Sequence, residues 1–230
     1  MRDDRPPLDR DDCLFTFDHL GGLPTVARWI ELNREIGLTI ATLLAHRYLP
    51  RAFGESRLLS TALAAESYHL ARFSNYTLPK AAYRRRRHAI IVAVPEEDRA
   101  WLNELLLYGH EPQLCTRLLA MADHAGSTFT RLVDDPERWA RTLVKTRNQI
   151  VHASGRQQER AGGKLLALSE TGYYLVLLCL MRDIDANVEA VEAIESNRHF
   201  RFAGVLWNRY HLAEPTVVED GDTGGEDSPA

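Results

Sequence analysis

Apolar residues recur at helical spacing over most of this chain. Val26, Trp29, Ile30, Ile36 and Ile40 place an amphipathic helix from Thr25, weakened at Gly37. Leu43 to Leu49 continue it, and Pro50 ends it, because proline disfavours helix in the residue before it. Arg57 to Phe73 reads as a second helix, with Leu58, Leu59, Ala62, Leu63, Ala65 and Leu70 carrying the apolar pattern. Pro95-Glu96-Glu97-Asp98 has the form of a helix start, with proline near the first position and acids in the first turn. Helices are expected through Trp101–Tyr108 and Pro112–Ala122, parted near Gly109. Asp134-Asp135-Pro136-Glu137 is another start, with an aspartate to cap and a proline just inside. That helix runs through Trp139, Leu143, Arg147 and Ile150, and Gly155 is placed to stop it. Lys164 to Ser196 reads as one long helix or two abutting ones, and Phe200 to Tyr210 as a short amphipathic helix at the end. Leu14 to Phe17 is the only strand-like run near the start.

The main helices are thus expected near 25–48, 57–73, 95–122, 136–153 and 164–195. The fold class this predicts is all-α, a helical bundle with short connections. Three regions follow: a flexible N-terminal segment over 1–24 with a short strand, a helical domain over 25–212, and a disordered acidic tail over 213–230.

Composition adds bounds. With 230 residues, 45% of them hydrophobic, the chain can bury one sizeable core. Cys13, Cys115 and Cys179 are odd in number and far apart, which suggests neither a disulfide framework nor a zinc site and fits a reducing cytosol. Residues 1–12 have no apolar stretch of the kind a signal peptide needs, and the apolar run Tyr173–Met181 is too short to span a bilayer. A cytoplasmic location without a membrane partner is expected. Net charge is −4, but residues 214–230 hold six acids (Glu214, Glu219, Asp220, Asp222, Glu226, Asp227) and no Lys or Arg. Without them, 28 basic residues face 26 acidic ones, so the rest of the chain is near +2 and an anionic partner such as RNA is not excluded.

Candidate chemistry centres on Arg147-Asn148-Gln149-Ile150-Val151-His152. Arg147 falls on the apolar stripe of its helix, where a guanidinium is costly unless it is paired or borders a wet cleft or interface. Asn148 and His152 are i,i+4 neighbours, so the amide is placed to orient the imidazole. On an ideal helix His152 lies about 140° round from Arg147. One copy therefore aims the two side chains apart, and a two-fold axis would let two copies converge. On residue types alone the blander alternative stands beside this: a core helix that contains an Arg, an Asn and a His. No His-Glu-x-x-His, Gly-x-Ser-x-Gly or phosphate loop is present, and neither a metal nor a cofactor is expected.

The segment Arg147-Asn148-Gln149-Ile150-Val151-His152 resembles the Arg-Asn-x-x-x-His motif of the HEPN superfamily, helical-bundle proteins that include many metal-independent ribonucleases. Leu59-Ser60-Thr61-Ala62-Leu63-Ala64-Ala65-Glu66-Ser67-Tyr68-His69 resembles the helix that often precedes the motif helix in ApeA-type HEPN proteins of bacterial anti-phage defence. The similar parts span roughly residues 25–195. The resemblance implies a HEPN-like bundle with extra N-terminal helices. It also implies a metal-independent RNA endonuclease acting in defence or as a toxin-like effector, with RNA as substrate and a homodimer as the working form. Arg147, Asn148 and His152 would be catalytic, with Glu66 and His69 as supporting candidates. Arg84, Arg85, Arg86, Arg87, Arg156 and Arg160 are weaker candidates for contact with the RNA backbone. The alternative is a catalytically inactive HEPN-like bundle that binds a partner protein or nucleic acid. A neutralising or regulatory protein is a further expected partner.

Overall fold

A computed structural model of the chain describes residues 13–48, 53–73, 76, 78–152 and 162–212. Among these residues there are ten helices and no strand. α8 (Gly162–Asp183) organises the rest: every residue from Ala167 to Met181 is buried. A helix that is apolar on all sides has to be surrounded, and here α2 (Gly54–Arg72), α5 (Leu114–Ala125) and α10 (Arg198–Leu212) form most of the jacket. α8 is also the one helix among the described residues with the length and apolarity to cross a membrane, but 83% of that apolar window is buried inside the bundle.

α2 and α8 run parallel, with Gly54 beside Leu165, Thr61 against Gly172, and Tyr68 bonded to Asp183. Gly172 permits the close approach, since a Cβ built there would lie 2.7 Å from Thr61 Cγ2. Two buried hydroxyls of α8 are satisfied within the helix. The Ser169 hydroxyl donates to the Leu165 carbonyl at 2.7 Å, and that of Thr171 donates to the Ala167 carbonyl at 2.7 Å. Thr171 Oγ1 also accepts from the Trp139 indole N–H at 2.7 Å, which ties α7 (Pro136–Val151) to α8. α1 (Leu23–Tyr48) packs against α2 and is kinked at Ile36 (φ −124°, ψ 29°), one residue before the expected weak point at Gly37.

Some elements differ from expectation. Leu14–Phe17 forms no strand, because a lone strand in a helical chain has no ladder partner for its backbone. Leu14 and Phe15 instead pack against the core, and Asn197 Nδ2 donates to the Cys13 carbonyl at 3.1 Å. The region 95–122 is two helices, as the parting expected near Gly109 implied: α4 (Glu96–Leu105), which ends three residues short of Tyr108, and α5, with residues 106–113 between them. Gly109 and Pro112, which lacks a backbone donor, favour that break. Of the two alternatives for 164–196, one long helix or two abutting ones, the second holds: α8 stops at Asp183, Asp185 turns with φ 47°, and α9 (Val188–Ser196) begins after Asn187. α3 (Lys80–Ala93) and α6 (Ser127–Val133) were not expected. α6 follows directly on α5 through Gly126, whose φ of +80° is a conformation that favours glycine. α10 confirms the short final helix, and its Trp207 donates from the indole N–H to the Val133 carbonyl at 2.8 Å. The acidic tail, residues 213–230, and the loop 153–161 lie outside the described residues.

Candidate functional site

α7 begins where the sequence signals it. The Asp135 carboxylate accepts the Arg138 backbone N–H at 2.9 Å, and Pro136 opens the helix with its fixed φ. Trp139, Ala140, Leu143 and Thr146 form the buried face. Arg147 follows at the border of that face, with 31% of its side chain exposed. Its Nη2 lies 3.6 Å from Glu66 Oε1 of α2, and its Nη1 donates to Asn148 Oδ1 at 3.1 Å. The contact with Glu66 is longer than a hydrogen bond, so the carboxylate holds the guanidinium by charge and leaves it donors for a further acceptor.

His152 closes α7. Its backbone N–H donates to the Asn148 carbonyl at 2.9 Å, its φ and ψ are −93° and 8°, and the residue is exposed. The helix thus presents an imidazole to solvent at its last turn, with Asn148 also exposed one turn earlier. Asn148 was expected to orient the imidazole; its side-chain oxygen is engaged by Arg147 instead. Around the Glu66–Arg147 pair the surface is apolar. Leu63 and Leu70 share the α2 face of Glu66 and are 58% and 56% exposed, and Val151, one turn after Arg147, is 49% exposed.

His69 stands apart from this surface. It is 2% exposed and stacks on Phe73, with ring centroids 5.0 Å apart and planes 4° from parallel. Neither ring nitrogen has a hydrogen-bond partner among the described residues. Burial, with the Arg117 guanidinium adding to it, pushes the imidazole pKa down to about 4. His69 is therefore a neutral core residue at physiological pH. Arg84, Arg85 and Arg86 are exposed on α3, whereas Arg87 is half-buried and donates from Nη2 to the Asn103 carbonyl and Oδ1 at 2.8 and 2.6 Å. Arg156 and Arg160 lie outside the described residues.

Sequence reasoning missed a second polar cluster. Asp183, with 7% of its side chain exposed, accepts from the Tyr68 hydroxyl at 2.7 Å and from Arg72 Nε at 3.0 Å, and lies 3.2 Å from His124 Nε2. Burial and this carboxylate push the Tyr68 hydroxyl pKa up, so it stays protonated as a donor. Arg72 reaches on to Glu35 at 3.1 Å. The cluster joins α1, α2, α5 and α8. The available signal was an acid at the end of the apolar run that forms α8.

A helical bundle with an Arg-Asn-x-x-x-His sequence at an exposed helix end defines the class: a helical-bundle protein with a surface arginine and histidine drawn from one helix. The family model for Apea-like HEPN matches residues 59–190, more than half of the chain and the whole of α2's second half through α8. The chain belongs to the Apea-like HEPN family. Neither a curated protein nor a solved structure matches it.

Proposed function

We propose that this protein is a metal-independent RNA endonuclease of HEPN type, acting in defence or as a toxin-like effector. The observation that carries the reading is the placement of Arg147 and His152: a guanidinium steadied by Glu66, and an exposed imidazole at the end of the same helix, inside the family-matched segment.

The chemistry fits these groups. The ribose 2′-oxygen attacks the adjacent phosphorus and loses its proton. The bond from phosphorus to the 5′-oxygen breaks, and that oxygen gains a proton. The products are a 2′,3′-cyclic phosphate and a 5′-hydroxyl. Arg147 offers a planar, permanently charged fork for the non-bridging oxygens, where negative charge grows in the transition state. His152 offers an imidazole, a side chain whose ring nitrogens can take or give the proton. The reaction needs one group to accept a proton and another to donate one, and each chain offers one such histidine in the motif. A homodimer with facing motif helices supplies both, and it would cover the exposed Leu63, Leu70 and Val151 that flank the ion pair.

A second reading is an inactive HEPN-like bundle that binds a partner protein or nucleic acid. The observation in its favour is that Arg147 already has a carboxylate partner, as a purely structural arginine would. Total RNA incubated with the chain in EDTA, beside an Arg147→Ala, His152→Ala double variant, separates the two. Degradation by the parent alone supports the nuclease, and intact RNA in both supports the inactive bundle.

A further inference from the structure

α3 and α4 form an arm. They pack chiefly on one another, and neither contains a buried residue. Tyr76 and Tyr83 each stack on His110 at its base, with centroids 5.4 and 4.9 Å away. Two features of the arm are unexplained by folding. First, α3 carries Lys80, Arg84, Arg85, Arg86 and Arg87 with no acid in the helix. Arg87 is occupied by Asn103, but Arg84, Arg85 and Arg86 are exposed, with no acidic partner among the described residues. Second, Trp101 and Leu105, i,i+4 neighbours on α4, and Tyr108 in the turn that follows are 64%, 62% and 67% exposed. Trp139 and Trp207, by contrast, are sealed in the core. A cleft of about 290 Å³ opens between α3 and the turn after α4, lined by Tyr83, Arg86, Arg87, Ile90, Leu106 and Gly109.

We propose that the α3–α4 arm is a docking platform for single-stranded RNA, with Arg84, Arg85 and Arg86 on phosphates and Trp101 and Tyr108 on base faces. The proposal rests on the ribonuclease reading above and adds the form of the substrate and where it docks. Cations that track a backbone together with exposed aromatic rings are the combination by which single strands are held without sequence preference. A duplex would leave the aromatic residues without a role, because its base faces are stacked inside. A lipid surface fits less well. A membrane-lying helix separates charge from apolar residues around its axis. α3 separates them along its axis, basic through His88 and apolar from Ala89 to Ala93. Glu96, Glu97 and Asp98 follow that apolar half at the tip of the arm, where an anionic bilayer would repel them.

The test is fluorescence anisotropy of a labelled single-stranded RNA oligomer, in EDTA, with the full chain carrying His152→Ala so that binding is read apart from cleavage. Changing Arg84, Arg85 and Arg86 to Gln should flatten the log–log dependence of affinity on salt by about 2. Trp101→Ala should weaken binding about tenfold with that slope unchanged. Both changes are at exposed positions, and circular dichroism checks that the fold is kept. Unchanged affinity in both variants overturns the proposal, as does stronger binding to the matching duplex, to phosphatidylserine vesicles or to a second copy of the chain through this arm. If the parent cleaves RNA while the arm variants bind it normally, this proposal alone fails. If binding depends on the arm but the parent never cleaves, the platform stands and the ribonuclease reading fails.

Discussion

Glu66 Oε1 on α2 and Arg147 Nη2 on α7 lie 3.6 Å apart, with 29% and 31% of the two side chains exposed. A pair this long and this wet contributes at most about 1 kcal/mol to stability. Its effect is on geometry: it fixes where the guanidinium sits on the border of the apolar face. Under the proposed mechanism, Glu66 positions the guanidinium and Arg147 meets the substrate. Glu66→Ala should lower kcat about tenfold with little change in melting temperature or KM, whereas Arg147→Ala should lower kcat by about 100- to 1000-fold. A Glu66→Ala variant with full kcat would make the pair incidental to catalysis.

His69 should make the protein acid-sensitive. Its folded pKa of about 4 is below the ordinary 6.5, so the unfolded chain takes up the proton first. Its contribution is therefore fully favourable above pH 6.5 and is lost as pH falls from 6.5 toward 4, by up to about 3 kcal/mol. His69→Phe keeps a ring to stack on Phe73 and removes two buried nitrogens that lack partners. Urea unfolding of that variant between pH 7 and 4 should show a shallower loss of stability than the parent. Equal acid slopes would assign the sensitivity to other groups.

What could be read from the sequence was what local pattern encodes. α7 was legible because its start is chemical, an aspartate cap followed by proline, and its buried face repeats every three to four residues. α2 was legible from its recurring apolar positions alone, and the core of α8 from its unbroken apolar run. α3 was not, because its first half is basic and its second half apolar, so no single face repeats along it. The break between α8 and α9 was left open, since apolar residues continue across it and only the turn at Asp185 marks it. Within the site, the polarity of Arg147 on an apolar stripe pointed to a partner, and the structure supplies Glu66, one of the supporting candidates. The Asp183 cluster depends on residues 59 and 115 positions away in sequence, and no local pattern reports such contacts.

That cluster should be a main source of stability. Asp183→Asn keeps the shape but removes the charge that Arg72 and Tyr68 share, in a site where the carboxylate side chain is 7% exposed. A loss of about 2–4 kcal/mol is expected from denaturant unfolding. A loss below about 0.5 kcal/mol would mean that the three contacts do not act together.

Gly172 sets the distance between α2 and α8. Gly172→Ala places a methyl 2.7 Å from Thr61 Cγ2, and Thr61 is stiff at χ1 and 1% exposed, so the helices must part. A destabilisation of about 1–3 kcal/mol is expected. Adding Thr61→Ala should restore part of it. No recovery in the double variant would place the strain elsewhere.

The central claim is that the motif at the end of α7 cuts RNA without a metal, and the most direct measurement is the identity of the ends it makes. A labelled RNA oligomer incubated with the chain in EDTA should yield 2′,3′-cyclic phosphate and 5′-hydroxyl ends, and His152→Ala should yield none while melting as the parent does. Cleavage that requires a divalent metal, products with 5′-phosphate ends, or undiminished cutting by His152→Ala would contradict it.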